Sequence, residues 1–227
     1  MNTNLLKRGF TLIEVLVALV LVSLLSLLAW RALDGMARAG EITQVNEQAV
    51  QRTQIALAQW TADLNAIVDT SASTARVQAL DFDGHSLRLT RSSGEQSAGV
   101  QVVAWTLRNT PEGRVWQRWA APPVTDKNSL QTAWDGALRW GKTPLPEDDV
   151  RTVTLISVDS WHIFYYRGDA WSNPQSAVGG AGAATTTTAT RLPDGVQLVL
   201  GLPAASGTSL GGKLTHYWIA PTQGATP

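Results

Sequence analysis

The sequence predicts an α+β chain in which one long N-terminal helix, apolar in its first half, packs on a C-terminal antiparallel β-sheet domain. Three observations predict it. Phe10 to Trp30 is apolar apart from Thr11, Glu14, Ser23 and Ser26. From there Leu33, Met36, Gly40, Val45, Ala49, Arg52, Ala56, Trp60, Leu64 and Ile67 recur at mostly three- and four-residue steps, the helical period. Beyond residue 70, short runs rich in Val, Trp, Thr and Tyr alternate with turn-forming residues, the pattern of strands.

Residues 1–9 form a short polar leader ending Lys7-Arg8-Gly9. Residues 10–30 are long enough as a helix to cross a hydrocarbon core of about 30 Å. Lys7 and Arg8 ahead of that run favour a cytoplasmic N-terminus. A secretory signal would end its apolar region at a small-x-small cleavage site, whereas here the apolar run continues into the helical pattern. Glu14 stands five residues into the run, where a carboxylate costs roughly 3 kcal/mol on insertion scales. Two readings follow: an intramembrane group with a function, or a carboxylate near enough to the border to reach water. No Pro occurs before Pro111, and residues 31–70 continue the helix as an amphipathic segment. The helix is expected to run from about Phe10 to Val68, softened at most by Gly35 and Gly40.

Residues 71–220 read as a β-rich globular domain. Val77 to Phe82 and Leu87 to Thr90 flank Asp83-Gly84, a hairpin signal. Val100 to Arg108 and Arg114 to Trp119 flank the turn-rich Asn109 to Gly113. Val153 to Val158, Trp161 to Tyr166, Gly195 to Leu200 and Leu214 to Ile219 are the further strands. Pro122-Pro123, Pro144-Leu145-Pro146 and the Gly-, Ala- and Thr-rich Gly179 to Thr190 are expected as loops, and residues 221–227 as a disordered tail.

The stretch Lys7-Arg8-Gly9-Phe10-Thr11-Leu12-Ile13-Glu14-Val15-Leu16-Val17-Ala18 resembles the signal sequence of type IV pilins and type II secretion pseudopilins. The resemblance implies a pilin-like fold, cleavage by a prepilin peptidase between Gly9 and Phe10, and N-methylation of Phe10. It also implies a charge pair between Glu14 and the Phe10 amine of a neighbouring subunit. A buried carboxylate is tolerable when a cation accompanies it, and only cleavage creates that cation.

Later stretches are similar to the minor pseudopilin J family: Arg31-Ala32-Leu33-Asp34-Gly35-Met36, Trp60-Thr61-Ala62-Asp63-Leu64, Val158 to Tyr166 with Asp169-Ala170-Trp171, and Leu192 to Leu198. The resemblance implies a tip subunit of a periplasmic pseudopilus, anchored in the bacterial inner membrane and supporting export of folded proteins. Its implied partners are minor pseudopilins of the I and K types, the H subunit and the major G subunit. The Thr-rich segment before Leu192 departs from that pattern. The alternative is a minor type IV pilin serving pilus assembly, adhesion, motility or DNA uptake.

Composition narrows the field. Lys+Arg and Asp+Glu are both 18, so no excess positive field points to nucleic acid. The chain has no Cys, and hence no thiol nucleophile or thiolate metal site. His85, His162 and His216 lack zinc spacing, and Asp81-Phe82-Asp83-Gly84 lacks the further ligands of a calcium loop, so it reads as a turn. Glu147-Asp148-Asp149 reads as a solvated acidic turn, and Ser92-Ser93-Gly94 is no nucleophile elbow. No catalytic site, cofactor or metal is expected, and the protein is read as a non-enzyme. Trp105, Trp116 and Trp119 are expected in the core. Trp134, Trp140 and Trp171 are expected in or near loops, as partner contacts.

Overall fold

The computed structural model describes residues 10–69, 77–94, 99–175, 192–204 and 211–221. Helix α1, Leu12–Asn65, is continuous through most of the apolar and amphipathic run. The chain divides into two compact units, residues 1–47 and 48–227. In the first, every described residue is exposed except Asn46, and α1 is long and apolar enough to cross a membrane.

Among its described residues the second unit holds two antiparallel sheets. Sheet 1 has the order β1-β2-β3-β4-β5, from Leu80–Phe82, Ser86–Ser92, Val100–Thr110, Gly113–Ala120 and Thr152–Ser157. Sheet 2 has the order β7-β6-β8-β9, from Ala170–Ser172, Ser160–Arg167, Gly195–Leu202 and Gly212–Ile219. All eight strands expected from sequence are present; the first starts at Leu80 rather than Val77, and the short β7 is an addition.

Period-2 alternation sorts sheet 1 into two apolar faces. Leu87 and Leu89, Val103 and Trp105, and Trp116 pack with Ala56, Trp60 and Leu64 of α1 and with Ile163, Val196, Leu198, Leu200 and Trp218 of sheet 2. The opposite face offers Val102, Ala104 and Trp119 to a second helix, α2, Lys127–Lys142. The strand tryptophans Trp105, Trp116 and Trp119 are buried, as expected; Trp105 and Trp116 cluster with Trp60 of α1 at ring-centroid distances of 4.5–5.5 Å.

Three expectations need correction. Trp134 and Trp140 are not loop residues that meet a partner; they lie on α2 with Leu130 and Ala137, buried against sheet 1. The 4-3-3 spacing of these four residues is a helical stripe, and Asp126 caps it by accepting from the Ser129 N–H at 2.9 Å. Gly141 lets α2 approach β2, since a Cβ there would stand 2.5 Å from Ser86 Oγ. Second, the acidic run is not wholly solvated. Asp148 sits in a 3-10 helix, Pro146–Arg151, where it is buried and accepts from the Leu145 N–H at 2.9 Å and from Arg139 at 3.2 Å. Third, α1 ends at Asn65 rather than Val68, because β2 captures the backbone that follows. Ser92 N–H donates to Ala66 O at 2.9 Å and Val68 N–H to Thr90 O at 3.0 Å.

Asp83-Gly84 is the turn expected. Asp83 Oδ1 accepts from the His85 and Ser86 N–H groups, and Gly84 takes φ +91°, a conformation glycine adopts at little cost. Lys7, Arg8, Gly9, the segment Gly179 to Thr190 and residues 222–227 lie outside the described residues.

Candidate functional site

The N-terminal turn of α1 has a geometry that the apolar run hides. Thr11 precedes the first helical residue, Leu12, and Glu14 is the third residue of the helix. The Thr11 N–H and the Thr11 hydroxyl both donate to Glu14 Oε2 at 2.9 Å, and the Glu14 N–H donates back to Thr11 Oγ1 at 3.3 Å. This reciprocal pattern is a capping box, which satisfies helix donors that otherwise have no partner. Its sequence signal is Thr-x-x-Glu at Thr11 and Glu14, set inside the apolar run. A carboxylate at a helix start also complements the dipole.

The capping box leaves Glu14 with acceptor capacity to spare. Its Oε1 takes no hydrogen bond among the described residues, and the side chain is exposed. Phe10, the first described residue, is exposed as well. Within one chain the structure brings Glu14 to Thr11, not to Phe10. The apolar side chains that follow face outward: Leu25 and Leu28 are 65% and 63% exposed. An exposed apolar strip of this length needs lipid or neighbouring helices to cover it.

The other candidate residues are not brought together. His85 lies exposed in the β1–β2 turn, His162 is exposed on β6, and His216 on β9 is half-buried with Nε2 2.9 Å from Thr61 Oγ1. Among the described residues no three His, Cys, Asp or Glu side chains group to hold a metal ion. Trp171 on β7 stays partly exposed beside Tyr166 and Tyr217, at ring-centroid distances of 5.2 and 5.7 Å.

One cluster escaped the sequence reading. Asp63, in the last turn of α1, is fully buried. Arg118 on β4 grips it through two nitrogens at 2.7 and 2.9 Å, Arg91 on β2 pairs with Oδ1, and Trp105 Nε1 donates to Oδ2 at 2.9 Å. Gln59 adds a fifth hydrogen bond at 3.1 Å. The sequence signal was an acidic residue on the buried face of a helix, but its partners are 28 and 55 residues away in the chain.

Two comparisons bear on this site. The prokaryotic N-terminal methylation motif matches residues 5–30, a span that holds the Gly9–Phe10 junction and the capping box. Over an alignment of 182 residues, covering 72% of each protein, the chain is 26% identical to the type II secretion system protein J of Vibrio cholerae serotype O1.

Proposed function

We propose that this chain, a J-type pseudopilin by its methylation motif and by its likeness to protein J, is a minor subunit at the tip of a type II secretion pseudopilus. The observation that carries the reading is a prepilin-type N-terminus on a chain whose length is mostly similar to that protein. The role is structural: the subunit supports export of folded proteins and carries out no reaction of its own.

In this reading a prepilin peptidase cuts between Gly9 and Phe10 and methylates the new Phe10 amine. Glycine before the cut lets an enzyme approach the backbone closely. The amine then pairs with Glu14 of a neighbouring subunit. That Glu14 Oε1 accepts no hydrogen bond among the described residues supports this, because the capping box and an incoming ammonium use different lone pairs of one carboxylate. Lys7 and Arg8 keep the leader cytoplasmic, α1 crosses the inner membrane, and the β-rich unit stands in the periplasm. Its partners there are pseudopilins of the I and K types, with H and G below.

The methylation motif alone fits a minor type IV pilin equally well; the likeness to protein J favours secretion. Co-purification of the full chain in detergent with the I- and K-type pseudopilins of the same genome tests the choice. A stable ternary complex is expected. A deletion that stops pilus formation and leaves exoprotein release intact would overturn the assignment. Gly9→Arg should leave the precursor nine residues longer by mass. Normal processing of that variant would refute the cleavage site.

A further inference from the structure

We propose that the buried Asp63 cluster is an orientation lock, fixing how the end of α1 is turned about its own axis between the two sheets. The apolar contacts of this part of the helix, through Ala56, Trp60 and Leu64, are non-directional and would accept more than one rotation. The backbone bridge between Ile67 and Arg91 pins where the helix ends but not how it is turned. The polar contacts do that. Thr61 meets His216, and Asn65 Oδ1 accepts from Trp218 Nε1 at 2.8 Å, both on β9 of sheet 2. Asp63 lies about 200° round the helix from Thr61, at roughly 100° per residue, and meets β2, β3 and β4 of sheet 1.

The chemistry suits orientation better than stability. Replacing a buried ion cluster by well-packed apolar side chains is often neutral or stabilising, so holding the fold together does not explain why charges stand here. A bidentate guanidinium, by contrast, accepts a carboxylate in one plane and one direction. A turn of the helix by one residue step would take Asp63 off both Arg91 and Arg118, leaving two guanidinium groups without their counter-ion. The alternative rotations are thereby excluded.

The chain has no Cys, so introduced pairs can be labelled cleanly. Ala58 on α1 and Ser157 on β5 are both exposed and suit Cys substitution and spin labelling. Pulsed electron paramagnetic resonance on the full chain in detergent should give a single narrow distance with the cluster intact. In the Asp63→Leu/Arg91→Leu/Arg118→Leu variant, far-UV circular dichroism should be retained and the unfolding midpoint should fall only slightly, by the loss of the acceptor for Trp105 Nε1, while the single distance is lost to a broad or split distribution. Asp63→Asn should lower the midpoint. A triple variant that keeps the single wild-type distance overturns the proposal. So does one that fails to fold, since the ions would then carry stability, and so does an Asn variant indistinguishable from wild type.

Discussion

At the scale of residues, Glu14 and Asp63 show two ways of making a carboxylate acceptable in an apolar setting. Glu14 is accommodated locally, by the turn it caps; Asp63 is accommodated by side chains distant in sequence. Glu14→Leu should therefore still insert into the membrane, since it removes the costly charge, yet enter the filament poorly for want of a partner for the Phe10 amine. Cross-linking yield in assembled filaments measures this, and wild-type incorporation would refute the charge pair. His216 supplies a pH dependence. His216 Nε2 stands 2.9 Å from the Thr61 hydroxyl, which also lies 2.9 Å from Leu57 O. Burial lowers the His216 pKa from its ordinary 6.5. The unfolded chain thus binds more protons just below that value, and stability falls as the pH drops through it. Urea midpoints at about pH 7.5 and about pH 5 should differ in that direction, and His216→Gln should shrink the difference.

At the scale of elements, α2 is the part of the fold most open to a quantitative test. Trp140 is buried, its Nε1–H donates to Thr152 Oγ1 at 3.0 Å, and Arg108 stacks over its ring at 5.2 Å while bonding its carbonyl at 2.8 Å. Trp140→Ala should cost about 3–5 kcal/mol in denaturant unfolding. Trp171→Ala, on a partly exposed ring, should cost about 1 kcal/mol or less. Equal effects would remove α2 from the core. The contrast also marks what sequence could tell. Strands were legible because alternation and the Asp83-Gly84 turn are local signals. Helix α2 was legible in principle, but Gly136 and Gly141 lower helical propensity, and the function of Gly141 as a contact with Ser86 exists only in three dimensions. The end of α1 was not legible, because β2 decides it from more than twenty residues away. Of the candidate site, the Thr11–Glu14 box has a local signal, Thr-x-x-Glu, masked by the apolar run around it, whereas Arg91 and Arg118 around Asp63 could not be named without the sheet register.

At the scale of the whole molecule, the decisive property is the contrast between an outward-facing apolar strip and a globular unit with its own packed core. With equal numbers of acidic and basic residues, net charge offers no force to orient the chain at a membrane. In the proposed reading orientation comes from local asymmetry, supplied by Lys7 and Arg8 just before the apolar run. Arg31 and Arg38 follow that run, but Asp34 forms an ion pair with Arg38 at 2.8 Å and accompanies it one helical turn away. Alkaline phosphatase fused after Pro221 should therefore be active in cells, because it folds only when exported, and a fluorescent protein that matures only in the cytoplasm should stay dark there. Lys7→Glu/Arg8→Glu should reduce the phosphatase activity by weakening retention of the leader. A dark phosphatase and bright fluorescence in the wild type would place the β-rich unit in the cytoplasm, away from any periplasmic filament, and the secretion role would fall with it.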